Sequence, residues 1–110
     1  MNPLVPCFKV LADETRLRIL VLLAQENLYV CQLHGILNLP QPKVSKHLAK
    51  LRDLGYVEVE RLEQFMLYRI NPKQPMMLDI LAYVIKHMDA YPQLQTDQAL
   101  LARRDEFGCR

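Results

Sequence analysis

Residues 40–58, PQPKVSKHLAKLRDLGYVE, limit what this chain can fold into more than any other stretch. Val44, Leu48 and Leu51 recur at spacings of four and three. A helix gathers such positions into one buried stripe. Lys43, Lys46, Lys50 and Arg52 fall off that stripe, and no acidic residue interrupts 41–52. Gly55 then marks a helix end. A short helix with one apolar stripe and a basic, polar leading turn fits a DNA major groove.

The charge distribution agrees with that reading better than the total does. Net charge is only +2, too small to identify a nucleic-acid binder. Residues 1–40 balance, residues 41–52 are purely basic, and the remainder is slightly acidic. Positive charge is therefore local, as a phosphate-contacting surface requires. A chain of 110 residues with 51% apolar and 24% charged residues is one globular domain, or part of one shared between chains. Lys9, Asp13 and Glu14 break up the N-terminus before a signal sequence develops. The longest strictly apolar run, 19–24, falls well short of the roughly 18–20 residues that span a bilayer. The expectation is a soluble cytoplasmic protein without membrane association. Its three scattered cysteines, Cys7, Cys31 and Cys109, argue against a secreted disulfide framework and are expected as thiols.

Along the chain, Val5, Phe8 and Leu11 suggest a short first helix. Asp13 is placed to cap a second helix reaching about Gln25. Leu28 to Val30 is β-prone, and a third helix is expected from about Val30 to Leu37, with Asn38 as its left-handed terminus. Pro42 suits the first turn of the basic helix. Tyr56–Arg61 and Phe65–Ile70 read as a two-stranded hairpin turning at 62–64. A fifth helix is expected from Pro75 to Tyr91, stopped by Pro92, with a short extra helix within 96–107. The fold class is mainly α with a small β-hairpin, a winged helix-turn-helix. Residues 1–92 form the expected DNA-binding and dimerisation domain, and 93–110 a C-terminal tail.

Three segments, FKVLADETRLRIL (8–20), LYVCQL (28–33) and LPQPKVSKHLAKLRDLGYVE (39–58), occur in that order. Together they resemble the ArsR/SmtB family of bacterial metal- and metalloid-sensing repressors, over roughly residues 7–72. The resemblance implies a homodimer through the first and last helices, bound to an inverted-repeat operator. It also implies an effector that releases the DNA. Two positions depart from the pattern. Many relatives carry Gly in the wing turn, where this chain has Glu63. Arsenite sensors of this type often read Cys-Val-Cys where this chain reads Tyr29-Val30-Cys31.

Gln41, Lys43, Ser45 and Lys46 are the candidates for base edges and nearby phosphates. Lys50 and Arg52 lie further along, and His47 lies between the buried and exposed faces. Arg61 and Gln64, near the wing tip, are placed to reach a flanking groove. Met77, Leu81, Val84 and Met88 form a wide apolar face on the fifth helix. With Val5 and Phe8 they are the expected dimer seam. Cys31 falls in the first turn of the third helix, where a helix N-terminus favours thiolate. It matches a sensor cysteine of the resembled family, and Cys7 and Cys109 are the available partners, with Cys7 slightly preferred. The bland reading of Cys31 is a small packed hydrophobe.

His34 shares a face with Cys31, but C-x-x-H alone is a weak zinc signal. Asp79 and His87 do not match a last-helix zinc site. An enzyme is not expected, because Cys31 and His34 have no third orienting group. No obligatory cofactor is expected. Trivalent arsenic or antimony is the leading inducer, since such ions prefer sulfur. The alternatives are a thiol-redox or other soft-metal switch and, from a different class, a helical interaction module that does not bind DNA.

Overall fold

In the computed structural model, which describes residues 4–108, the helices are α1 (Leu4–Leu11), α2 (Glu14–Leu23), α3 (Val30–Leu37), α4 (Gln41–Asp53), α5 (Pro75–Lys86) and α6 (Pro92–Leu101). The strands are β1 (Leu28–Tyr29), β2 (Val57–Leu62) and β3 (Phe65–Ile70). Short 3-10 turns follow α5 at Met88–Ala90 and α6 at Arg104–Glu106. This is a winged helix-turn-helix: α3 and α4 form the helix-turn-helix, and β2–β3 form the wing.

Local chemistry sets most of the boundaries. Asp13 takes extended backbone, and its carboxylate accepts from the Arg16 N–H at 3.0 Å, capping α2. Asn38 closes α3 in the left-handed region at φ 55°, which its short side chain tolerates better than most. Gly55 ends the α4 segment at φ 84°, which an L side chain rarely adopts. In the wing, Leu62 pairs with Phe65, so the turn has two residues. Glu63 adopts φ 59° there, in the position where relatives often carry Gly.

The core lies where α2, α3, α4 and α5 converge. Ile19, Leu20, Leu33, Leu48, Leu51 and Leu81 are all fully buried. The Val44/Leu48/Leu51 stripe is inward, so the lysines of α4 are left outside. The sheet has three strands and not two, in the order β1-β3-β2. β1 pairs antiparallel with β3 through Leu28↔Tyr68 and Tyr29↔Leu67. The short stretch read as β-prone is thus a strand, and what the sequence did not reveal is its place beside the hairpin, because its pairing partner lies about forty positions away.

Two helix expectations are corrected. The fifth helix stops at Lys86, not Tyr91, and a 3-10 turn brings Met88 into the core. Pro92 begins α6 instead of ending α5; proline lacks an N–H that a first helical turn does not need. The short extra helix expected within 96–107 is present as α6, but it begins earlier, at Pro92, and ends at Leu101. Leu94, Asp97 and Leu101 are buried, and α6 packs on α2 and α3.

The dimer-seam expectation also changes. Met77, Leu81 and Met88 are buried within the single subunit, at 1%, 0% and 9% exposure. A wide apolar face on α5 serves the subunit's own core, which periodicity alone does not separate from a partner surface. Val84 is half-buried. The large apolar side chains left in solvent include two of the expected seam residues, Val5 and Phe8, with Leu4 beside them on α1, and also Leu54 after α4, Leu62 in the wing, and Tyr83 and Tyr91 near the end of α5.

Candidate nucleic-acid interface and the Cys31 cavity

The sequence of α4 dictates its polarity. Its buried stripe fixes the helix on α2 and α3, and everything off the stripe faces out. Gln41, Lys43, Lys46 and Lys50 are exposed, while Ser45 and His47 are half-buried. Arg52 is exposed and approaches Asp53 at 3.7 Å, which offsets its charge. A hollow of about 570 Å³ runs along this face, lined by Arg16, Lys43, Lys46, His47, Ala49, Lys50 and Asp53.

Arg16 is a cation that the sequence reading passed over. It comes from the start of α2, outside the basic run. Its Nε donates to the Val10 carbonyl at 3.2 Å and Nη2 to the Lys9 carbonyl at 3.3 Å, which pins the guanidinium beside the α4 lysines. The only sequence signal was its place three residues after the capping Asp13. Asp13 itself is held below the usual carboxylate range. The cause is chiefly the Arg16 backbone N–H, with help from the His47 and Arg16 charges, while burial opposes it.

In the wing, Arg61 and Gln64 are exposed. Arg61 Nε donates to the Glu63 carbonyl at 3.1 Å, bracing the turn. Tyr68 is nearly buried, and Arg69 bridges Glu58 at 3.2 Å and Glu60 at 3.1 Å across the strands. Both are structural residues of the wing.

Cys31 is the second residue of α3 and half-buried. It lines a cavity of about 320 Å³ with Tyr29, Val30, His34, Gln41, Gln64, Phe65, Met66 and Gly108. Three elements meet there: the N-terminus of α3, the first residue of α4 and the wing tip. The Tyr29 and Phe65 rings form one wall, edge to face with centroids 5.7 Å apart. Cys31 is disulfide-bonded, contrary to the expectation of a thiol.

Cys7 is different. It is a free cysteine, buried at 1% exposure on α1, and burial pushes its thiol up from the ordinary value. It does not line the Cys31 cavity. Cys109 lies outside the described residues. Among the described residues, no group of three or more His, Cys, Asp or Glu is placed to hold a metal ion. His34 lines the Cys31 cavity, whereas Asp79 and His87 are both exposed on α5 or at its end.

Residues 13–59, spanning α2 to β2, match the profile of the arsR family of bacterial regulatory proteins. The chain is 47% identical over 73 residues to the arsenic resistance transcriptional regulator ArsR1 of Pseudomonas putida. It belongs to the ArsR family. That match covers 66% of this chain and 57% of the relative, so less than two thirds of the longer ArsR1 has a counterpart here. Among solved members of this fold, the AntR antimony-specific transcriptional repressor superposes with a TM-score of 0.69 at 30% identity, over 83% of this chain and 81% of AntR. The homodimeric winged helix-turn-helix domain of Mb0332 from Mycobacterium bovis gives 0.66 at 28% identity, over 82% of each chain. No helix among the described residues is long and apolar enough to cross a membrane.

Proposed function

We propose that this ArsR-family protein is a homodimeric repressor that binds operator DNA and leaves it when trivalent arsenic or antimony is captured at Cys31. The observation that carries this reading is the composition of one cavity. The wall that holds Cys31 also holds Gln41, which opens α4, and Gln64, at the wing tip. A ligand bonded to the Cys31 sulfur displaces the groups that would meet DNA. The dimer reading is supported by the apolar side chains in solvent on α1 and near the end of α5, and by the homodimeric state of Mb0332. The effector class is supported by the names of ArsR1 and AntR and by the preference of soft ions for thiolate.

A soft trivalent centre gains most from two or three sulfurs. Cys109 is the better partner for Cys31. Its chain neighbour Gly108 lines the Cys31 cavity, whereas Cys7 is sealed in the core. Capture requires the reduced protein, in which a dithiol reductant has opened the Cys31 disulfide and taken up its two electrons' worth of oxidation as its own disulfide. Each capture step is then a ligand exchange, in which a thiol sulfur bonds to arsenic, one hydroxide leaves, and the thiol proton converts it to water. A DNA selected from a random pool by the protein supplies the operator. Gel-shift titration with arsenite, antimonite, phenylarsine oxide, cadmium, zinc and peroxide then ranks the effectors. Wild type is expected to release on arsenite or antimonite, and Cys31→Ser to stay bound. A Cys31→Ser protein that still leaves the operator would overturn the assignment.

The disulfide at Cys31 favours a second reading, in which oxidation is the signal. Release by peroxide without release by arsenite or antimonite would select it.

A further inference from the structure

Arg16 is held by backbone carbonyls and not by a carboxylate. Its Nε donates to the Val10 carbonyl at 3.2 Å and its Nη2 to the Lys9 carbonyl at 3.3 Å. Both carbonyls belong to the last turn of α1, the negative end of a helix. Arg18, Arg52, Arg69, Arg103 and Arg104 each pair with a carboxylate. Among the described residues Arg16 has no such pair. The Asp13 carboxylate accepts from the Arg16 backbone N–H and acts on the guanidinium only as a nearby charge. N–H groups on Nη1 and Nη2 are left for another acceptor. The company is cationic. Arg16 lines the hollow of about 570 Å³ with Lys43, Lys46 and Lys50. Arg16 and Lys50 also line the next hollow, of about 220 Å³, which Lys9 enters from α1. Asp53 is the only acidic residue in the two linings, and it leans toward Arg52 at 3.7 Å. The basic surface therefore runs off α4 to the end of α1. Gathering like charges costs energy in the free protein. A polyanion laid over them repays it. Ending α1 alone does not call for that company.

We infer that Arg16 is a phosphate-contacting residue of the operator interface: its guanidinium, seated on the end of α1, donates to a DNA phosphate that flanks the groove entered by α4. This rests on the DNA-binding reading and adds a contact from outside the basic helix. Lys43, Lys46 and Lys50 are exposed, and a lysine stem gives up rotamer freedom when its charge is fixed on a phosphate. Arg16 is already fixed by two hydrogen bonds, so it gives up less. Its planar fork also suits phosphate oxygens. Such a contact carries no sequence information; it sets the angle at which α4 enters the groove. The carbonyls that hold Arg16 belong to α1, where Val5 and Phe8 are exposed. The contact thus ties the DNA backbone to the helix of the proposed dimer seam.

The test uses the full chain and a DNA that it selects from a random pool. Affinity is measured across a salt series, and contacted phosphates are mapped by ethylation interference. Arg16→Gln is expected to lower the salt slope by about one for each subunit bound. Interference should vanish at one phosphate position in each half-site and persist at the others. Arg16→Lys keeps the charge, so its slope should stay near that of wild type, with weaker interference at the same position. Circular dichroism and urea titration report how well each variant folds. A smaller folded fraction lowers affinity equally at every salt concentration and leaves the slope alone, so a purely structural role is separable. An Arg16→Gln protein with the wild-type slope and the wild-type interference pattern would overturn the contact, even where Lys43→Ala and Lys46→Ala lower the slope. Affinity lost equally at all salt concentrations would also overturn it, and leave Arg16 as a brace for the end of α1. A wild-type protein that selects no DNA would overturn the DNA-binding reading itself, and the contact with it.

Discussion

The Tyr29 ring meets the Phe65 ring edge to face, at a centroid separation of 5.7 Å and an interplanar angle of 61°. Tyr29 stands two residues before Cys31, and Phe65 opens β3 just past the wing turn. The β1–β3 pairing continues the link through Tyr29↔Leu67. The wing is thus tied, through one aromatic pair and one short strand, to the N-terminus of the helix that carries Cys31.

Tyr29→Cys tests this relationship and the thiol chemistry together. It restores the Cys-Val-Cys pattern seen in resembled arsenite sensors and removes the ring pair, worth about 0.5–1.5 kcal/mol beyond its buried area. Arsenite has three positions to fill, so a third thiolate favours it. Half-release of DNA is expected at about tenfold lower arsenite, equivalent to about 1.4 kcal/mol. A monosubstituted arsenical, with two positions, should gain much less. An unchanged arsenite midpoint would show that position 29 cannot reach the arsenic held at Cys31.

Lys43→Ala and Lys46→Ala should each weaken operator binding without loss of stability, because both side chains are exposed. If either meets only phosphate, the loss should be similar on all sequences, and the salt slope should fall by about one. Gln41→Ala should relax sequence preference and cost about 1–3 kcal/mol at one base pair. Equal affinity in all three variants would remove α4 from the groove.

Much of this architecture was readable because local chemistry agrees with the fold. Asp13, Asn38 and Gly55 each sit at a terminus that their backbone preferences serve. The α4 stripe fixed which side of that helix faces out. What the sequence hid depends on distant contacts. β1 is a strand only because β3 lies beside it. Arg16 joins the basic hollow only once α2 and α4 have packed. The α5 stripe could have served a partner or the subunit, and periodicity is the same for both. Gly35 carried no signal until Phe107, far along the chain, was seen above it.

That ambiguity at α5 separates two kinds of variant. Leu81 is fully buried, so Leu81→Glu places a carboxylate in the subunit core. Such burial costs several kcal/mol or forces protonation, and unfolded protein is expected. Phe8 is 53% exposed and Tyr83 62% exposed. Phe8→Glu and Tyr83→Glu should fold normally by circular dichroism, yet sediment as monomers and bind the operator weakly. Dimers of unchanged affinity in both variants would move the seam away from α1 and α5.

The Asp13 cap carries a pH signature. Its folded value lies below the ordinary one, chiefly through the Arg16 N–H. The unfolded value is about 3.9. A group depressed on folding contributes stability above its unfolded value and loses it as pH falls through the folded one. Asp13→Ala should therefore cost about 1 kcal/mol at neutral pH, with the deficit shrinking below about pH 4. Asp13→Asn caps without charge. It should keep most of the stability and show a flatter acid limb in urea titrations. A deficit in Asp13→Ala that grows on acidification would contradict the sign.

Arg18 on α2 and Asp97 on α6 form the buried ion pair that joins the C-terminal helix to the helix-turn-helix. Nε meets Oδ2 at 2.8 Å and Nη2 meets Oδ1 at 2.9 Å, with side-chain exposures of 11% and 3%. Arg18 also donates to the Leu37 carbonyl at 3.1 Å, at the end of α3, and Gln93 donates to Asp97 at 3.1 Å. Removing one member leaves the other charge buried and unpaired, which costs about 3–5 kcal/mol. Total stability for such domains is about 5–15 kcal/mol. Asp97→Ala should therefore lower the urea midpoint sharply and release α6. Replacing both, as Arg18→Met with Asp97→Leu, should recover most of that loss, since well-packed apolar pairs often match buried ion pairs. A double variant no more stable than Asp97→Ala would mean that the pair holds α6 by geometry that apolar side chains cannot reproduce.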